Sequence, residues 1–163
     1  MIVRYHRAVV VLHWLLAALV LFSLAMGMLS LTGIPNASPD KLFALRGHMV
    51  AGVAILLLTL VRLAVVMRTP RPAAVSLASR VGHFSLYAAV LLMAASGIAL
   101  ALQAGLPAAV FGAGALPESF DAYAPRAAHG VLAWVLLGLI ALHILAALYH
   151  QLVLRDDILR RMR

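Results

Sequence analysis

Apolar residues along this chain form four long runs separated by short polar connections. Each run is longer than the roughly 20 apolar residues that a helix needs to cross a bilayer. Since runs of this length satisfy their backbone in lipid only as helices, we predict four transmembrane helices. The second run holds Arg46 and Arg62 near its two ends, where long side chains can reach the headgroups. The predicted spans cover residues 8–31, 43–67, 81–103 and 127–154.

The composition agrees with a membrane protein. Of the 163 residues 65% are hydrophobic and 11% are charged, and the mean hydropathy is +1.06, far from soluble globular usage. The spans leave no room for a soluble domain, so residues 1–163 form a single transmembrane domain. Because the connections are short, neighbouring helices run antiparallel, and the predicted fold is an all-α, up-down four-helix bundle. We do not interpret the first run as a cleaved signal peptide, because it is too long and contains His13 and Trp14.

Arginine and lysine are unevenly divided between the two ends of this bundle. The end with both termini and the 62–80 connection carries ten of them, and the other end carries three: Lys41, Arg46 and Arg126. By the positive-inside rule both termini are cytoplasmic. The net charge of +8 is therefore mainly topology, and we expect no nucleic-acid partner. The chain has no cysteine, so disulfide and thiolate chemistry are excluded.

The predicted helices give each histidine a depth in the membrane. Fourteen residues separate His129 from His143, which at 100° and 1.5 Å per residue is about the same helix face after a rise of about 21 Å. A polar side chain in hydrocarbon usually faces a partner in the bundle interior. His48 lies near the depth of His129, and His13 lies in the half that holds His143.

Two histidine pairs stacked across a membrane match what two haems with axial imidazoles require. A membrane histidine taken alone is more often a hydrogen-bonded interior residue or part of a proton relay. A transporter of protons or divalent metal ions is the main alternative, but it favours carboxylates beside the histidines. Every Asp and Glu here falls in a predicted loop or tail.

Four motifs resemble the prokaryotic cytochrome b561 family over essentially the full chain: YHRAVVVLHW, RGHMVAG, VGHFSLY and HGVLAWVLLGLIALHILAALYH. The resemblance implies a b-type cytochrome of the bacterial inner membrane with two haems between its four helices, exchanging electrons with quinone. Some members are superoxide oxidases, which pass an electron from periplasmic superoxide to ubiquinone. Carried over by motif, His48 and His129 would hold the outer haem iron, and His13 and His143 the inner one.

Three further residues are candidates for cofactor binding near the inner haem. His150 remains a second candidate ligand, because its depth in the apolar run matches His13 better than that of His143. His83 has no free partner at its level and suits a contact to a propionate or a quinone. Arg62 stands fourteen residues after His48, so it faces the same interior side near the inner haem. It either pairs with a propionate or extends to the headgroups.

The three outer cations suggest an entrance for substrate. Arg46 and Arg126 precede His48 and His129, and with Lys41 they could attract a small anion such as superoxide. The same charges could instead neutralise haem propionates. Ubiquinone would bind in an apolar groove at the membrane face.

Three function classes follow from these residues. The first is a self-contained superoxide:ubiquinone oxidoreductase with lipid and quinone, but no obligatory protein, as partners. The second is a cytochrome b subunit serving a larger respiratory or hydrogenase-type complex, which the short tails make less suitable. The third is a non-redox transporter. Haem content separates the third class from the others, and reduction by superoxide without a partner separates the first from the second.

Overall fold

The computed structural model describes residues 4–70 and 76–162, and these consist of helices and loops. Helices α1 and α5 each continue into a π-helical turn, Met26–Leu31 and His150–Leu154 respectively. Four helical spans are long and apolar enough to cross a membrane, which confirms the predicted all-α fold with four transmembrane helices. Arg71 and Arg163, two of the ten arginines counted above, lie outside the described residues. The helices are α1 (Arg7–Ala25), α2 (Pro39–Arg68), α3 (Leu77–Gln103), the short α4 (Leu106–Phe111) and α5 (Ala124–Tyr149).

Three of the spans begin a few residues before the apolar runs that predicted them. Ser38 caps α2 by accepting a hydrogen bond from the Asp40 backbone N–H, and Pro39 occupies the first turn, where its missing N–H costs nothing. Ser76 caps α3 in the same way, accepting from the Ser79 N–H. A proline also stands in the first turn of α5. Capping turns are polar, so hydropathy alone does not include them.

The helices pack as two closely associated pairs, α1 with α2 and α3 with α5. A small central cluster joins α1, α3 and α5 through Leu24, Ala89, Ala133 and Leu136. Two of these are alanines, which let helix backbones approach closely in a membrane, where packing rather than burial from water drives association. Large apolar side chains point outward, including Trp134 and Phe84, which are 67% and 74% exposed. The outer surface of the bundle therefore suits lipid.

Residues 32–38 and 104–123 form one end of the bundle, which we call the loop end. This end is stabilised by side chains that bind backbone carbonyls. The Lys41 amine donates to the carbonyls of Leu31 and Ile34. The Arg46 guanidinium donates to the Val110 carbonyl at 3.3 and 2.7 Å. Leu31 and Val110 stand in the last turns of their helices and Ile34 in the loop, where carbonyls have no helical partner, so these cations supply the missing hydrogen bonds.

This arrangement corrects the expected position of Lys41. Lys41 was expected to help form an entrance for a small anion, but the residue is buried, with 5% of its surface exposed. The long side chain folds under the loop because two carbonyl oxygens and the ring of Phe120, 5.9 Å from the amine, replace water around the charge.

The opposite end, which we call the terminal end, brings the start of α1 together with the C-terminal tail. The Tyr5 backbone N–H donates to the Arg161 carbonyl at 3.2 Å, and the Trp14 indole donates to the Met162 carbonyl at 3.3 Å. The His150 Nδ1 lies 2.5 Å from an Asp156 carboxylate oxygen, and this hydrogen bond lowers the pKa of Asp156. The C-terminal tail thus folds back toward α1.

Replacing Lys41 tests whether its buried amine stabilises the loop end. We expect Lys41→Met to lower the free energy of unfolding by about 1–3 kcal/mol, because it leaves the Leu31 and Ile34 carbonyls without their donor. Thermal unfolding in detergent measures this change. The control is Arg80→Met, at an exposed position of α3. Equal stability of the Lys41 variant and the parent chain would show that these hydrogen bonds contribute nothing net.

Candidate functional site

Two histidines from different helices face each other at the loop end of the bundle. His48 lies on α2 and His129 on α5, and their ring centroids are 6.1 Å apart with the ring planes at 80°. The sequence paired these two residues by depth, and the structure brings them together. We call them the loop-end pair.

Each ring of the loop-end pair rests against a serine and a glycine of a neighbouring helix. The Ser23 hydroxyl oxygen lies 3.3 Å from His48 Nδ1, and the Ser96 hydroxyl oxygen lies 2.9 Å from His129 Nδ1. A Cβ atom added to Gly97 would stand 3.1 Å from His129 Cε1, and one added to Gly27 would stand 3.3 Å from His48 Cε1. The serines therefore hold the edges of the rings, and the glycines make room for them.

A second pair of facing histidines lies at the terminal end. His13 of α1 and His143 of α5 have ring centroids 6.1 Å apart and ring planes at 66°. We call them the terminal-end pair. His83 of α3 places its ring 5.5 Å from that of His143, so it is a neighbour of this pair. Its Nδ1 is 2.6 Å from the Ser79 carbonyl oxygen; because a carbonyl only accepts, Nδ1–H donates and Nε2 is left available.

The structure distinguishes His143 from His150 at the terminal end. His143 faces the His13 ring, whereas His150 lies in the π-helical turn after α5 and is hydrogen-bonded to Asp156 of the tail. The imidazole of His150 thus has a carboxylate partner of its own. This arrangement favours His143 as the partner of His13.

Arg62 is an interior cation near the terminal-end pair. Its Nη1 donates to the Tyr87 hydroxyl at 2.7 Å, and its guanidinium carbon lies 5.3 Å from the centre of the Tyr87 ring. The Arg62 Nε is buried with no hydrogen-bond partner. Within residues 4–70 and 76–162 the ion pairs are those of Asp156 and Asp157, so no described carboxylate neutralises Arg62. An acidic group of a bound molecule would fit this position.

The geometry of both pairs suits an iron held between two imidazoles. A metal ion about 2 Å from one nitrogen of each ring separates the two ring centroids by roughly 6 Å, which agrees with the 6.1 Å seen in each pair. No group of three or more His, Cys, Asp or Glu side chains in the described part of the chain could hold a metal ion. Haem needs only two protein ligands because the porphyrin supplies the other four. The residues present therefore fit haem.

The remaining cations of the loop end differ in how they are engaged. Arg46 is exposed but is hydrogen-bonded to the Val110 carbonyl. Arg126 lies one helical turn before His129, and its guanidinium folds over Gly130. It lines a shallow surface depression with Asp121 and Trp134, and among the described residues its guanidinium has no hydrogen bond or ion pair. Of the three expected cations, Arg126 is therefore the one whose charged group the described residues leave unpaired.

Several residues of the site were not found from the sequence. Tyr87 was not among the candidate residues, yet it binds Arg62. Ser23, Ser96, Gly27 and Gly97 were not singled out, although a Ser-Gly dipeptide inside the apolar stretch MAASGIAL is a usable signal. Small polar residues in a span often mark close contact with a neighbouring helix.

Comparison with known proteins decides the family. The family model for prokaryotic cytochrome b561 matches residues 4–163. The chain belongs to the prokaryotic cytochrome b561 family. A Yersinia pestis protein described as a probable superoxide oxidase, CybB, is 32% identical over 170 residues, which span 98% of this chain and 95% of the relative.

Family membership confirms the resemblance given by the four sequence motifs. It makes the chain a membrane electron-transfer protein that binds b-type haem, and the four apolar spans make it a multi-pass membrane protein. The facing histidines and the half-buried cation Arg62 thus lie in a cytochrome of this family.

Gly97 offers a test of the packing around His129. We expect Gly97→Ala to weaken haem binding by about tenfold or more, because its methyl group would displace the His129 ring from its position opposite His48. Haem absorbance per chain after purification and dilution measures the loss. Gly52→Ala is the matched control, since a Cβ at Gly52 meets nothing within 4 Å. Equal haem content in both variants would contradict a tight fit at Gly97.

Proposed function

We propose that this cytochrome holds two b-type haems, one between His48 and His129 and one between His13 and His143, and carries electrons from superoxide to ubiquinone. The observation that supports it best is the presence of two facing imidazole pairs at opposite ends of one bundle. Both pairs take one histidine from α5, fourteen residues apart, which is about 21 Å along the helix. Each haem, when bound, supplies an iron that gains and loses a single electron.

The surrounding residues have supporting roles at the terminal end. The Arg62 guanidinium, with its free Nε, would hold a haem propionate while Tyr87 fixes its position. His83, with Nε2 available beside His143, would contact a propionate or the quinone. His150 is fixed by Asp156 and serves the fold of the tail.

Charge and topology support the loop end as the end that receives electrons from the donor. With both termini in the cytoplasm, the bundle spans the bacterial inner membrane, and the loop end faces the periplasm. The described activity of the Yersinia pestis relative supports superoxide as the donor. Arg126 would attract this small anion beside His129, and the buried Lys41 would contribute through the loop that it fastens.

The charges of the loop end act on an approaching anion at short range only. The loop end carries three cations, Lys41, Arg46 and Arg126, and three acids, Asp40, Glu118 and Asp121. Its net charge is therefore zero, so long-range attraction of an anion is weak. Arg126 and Asp121 line the same depression, and we expect their charges to act on the encounter with opposite signs.

Ligand substitutions test the two-haem arrangement. We expect two non-covalent b-type haems per chain by pyridine haemochrome assay. His48→Ala or His129→Ala should lose chiefly one haem, and His13→Ala or His143→Ala chiefly the other, because each iron loses one of its two ligands. His150→Ala is the control within α5 and should keep both haems. A single haem in the parent chain would overturn the proposal, and loss of haem only from the His150 variant would overturn the choice of His143.

Reduction by superoxide tests the donor. In stopped-flow experiments we expect Arg126→Gln to slow haem reduction and Asp121→Asn to accelerate it, each about two- to fivefold, the effect expected of one exposed charge. The Arg126 variant should also depend less on salt, since charges are screened over about 10 Å at 0.1 M. Ubiquinone serves as the final acceptor.

The control for that experiment is Arg80→Gln, because Arg80 lies on α3 toward the terminal end. It should leave the rate unchanged. Absence of any reduction by superoxide in protein with both haems would instead favour a cytochrome b subunit that serves a larger complex.

A further inference from the structure

The two histidine pairs differ in how their rings are held. Both rings of the loop-end pair have a serine hydroxyl at Nδ1. Within residues 4–70 and 76–162 the structure gives no such hydrogen bond to the ring of His13 or His143. This difference is not a consequence of burial alone, because all four histidines are half-buried.

The hydrogen bonds of Ser96 determine which nitrogen of His129 carries the proton. The Ser96 hydroxyl donates its single hydrogen to the Met93 carbonyl at 2.9 Å. Toward His129 Nδ1, also 2.9 Å away, the same oxygen can therefore only accept. Nδ1 must carry the hydrogen, and Nε2 keeps the lone pair that a haem iron requires.

Ser23 holds His48 from another helix and less tightly. Its hydroxyl oxygen lies 3.3 Å from His48 Nδ1, and the Ser23 side chain is buried, with the residue 8% exposed. Ser23 stands on α1 and Ser96 on α3, so the α2 and α5 histidines are each fixed by a helix that does not carry them. The two serines thus fix the rings of His48 and His129, whose planes meet at 80°.

We propose that Ser96, and to a smaller extent Ser23, are positioning residues that set the ring orientation and the donor strength of the loop-end histidines. This inference rests on the proposed haem ligation. A ligating imidazole whose N–H donates to an oxygen becomes more basic and stabilises the oxidised iron. The serines thus lower the reduction potential at the loop end, and the described residues of the terminal end make no equivalent contact.

The test compares Ser96→Ala with Ser96→Thr, which keeps the hydroxyl, and with Ser30→Ala as a control on the exposed end of the α1 span. We expect Ser96→Ala to raise the potential of the loop-end haem in a spectroscopic redox titration. It should also change the low-spin ferric EPR signal, which depends on the angle between the ligand planes. Transfer of this haem to an added apo-globin should become about tenfold faster or more.

Ser96→Thr and Ser30→Ala should behave like the parent chain, and Ser23→Ala should shift the potential in the same direction by less. The His13→Ala background isolates the loop-end haem and identifies which component moves. Unchanged potential, EPR signal and haem release in Ser96→Ala, with both haems present, would overturn this inference alone. If Ser96→Ala does not fold, an unshifted potential in Ser23→Ala overturns it. A parent chain with one haem would overturn the proposed function instead.

Discussion

The architecture depends on the cost of placing an imidazole in apolar surroundings. A polar ring facing lipid lacks hydrogen bonds, so it is stable only when it faces a partner inside the bundle. Helix α5 contributes one histidine to each pair, and α1 and α2 contribute the opposing rings. Helix α3 carries the accessory groups, Ser96 at one end and Tyr87 at the other. Each helix is thus positioned by a polar contact that a purely apolar bundle would not contain.

Charge at the two ends serves different purposes. At the loop end, Lys41 and Arg46 bind backbone carbonyls of the connections, and acids balance the cations in number. The cost of leaving a carbonyl unpaired at the edge of a membrane explains why these long side chains turn inward. At the terminal end, arginines exceed acids ten to two along the sequence, and this excess is the basis on which cytoplasmic termini are predicted. Only Arg126 combines a loop-end position with a guanidinium that the described residues leave unpaired.

Hydropathy predicted the four spans to within a few residues, because polar groups are costly in lipid and the spans therefore contain few of them. Helical spacing also placed His129 and His143 on one face, and depth identified their partners. Depth and spacing could not decide whether His143 or His150 is the partner of His13, because the contact of His150 with Asp156 depends on the tail folding back. Lys41 was placed wrongly because hydropathy treats every cation as exposed. Ser96 and Gly97 were missed because isolated small residues follow no period, although they determine the fit of His129.

The two ends of the bundle would hold their irons differently under the proposed function. At the loop end, the Ser96 oxygen accepts the His129 Nδ1 hydrogen, which strengthens the ligand and favours the oxidised iron. At the terminal end, among the described residues, the rings of His13 and His143 have no hydrogen bond of this kind, and Arg62 would be engaged by a haem propionate and by Tyr87. Under the proposal, the loop-end haem would therefore have the lower potential of the two, and an electron that entered beside His129 would move to a lower energy at the terminal-end pair. The difference in hydrogen bonding at Nδ1, rather than a difference in the ligands themselves, would set the preferred direction of the electron.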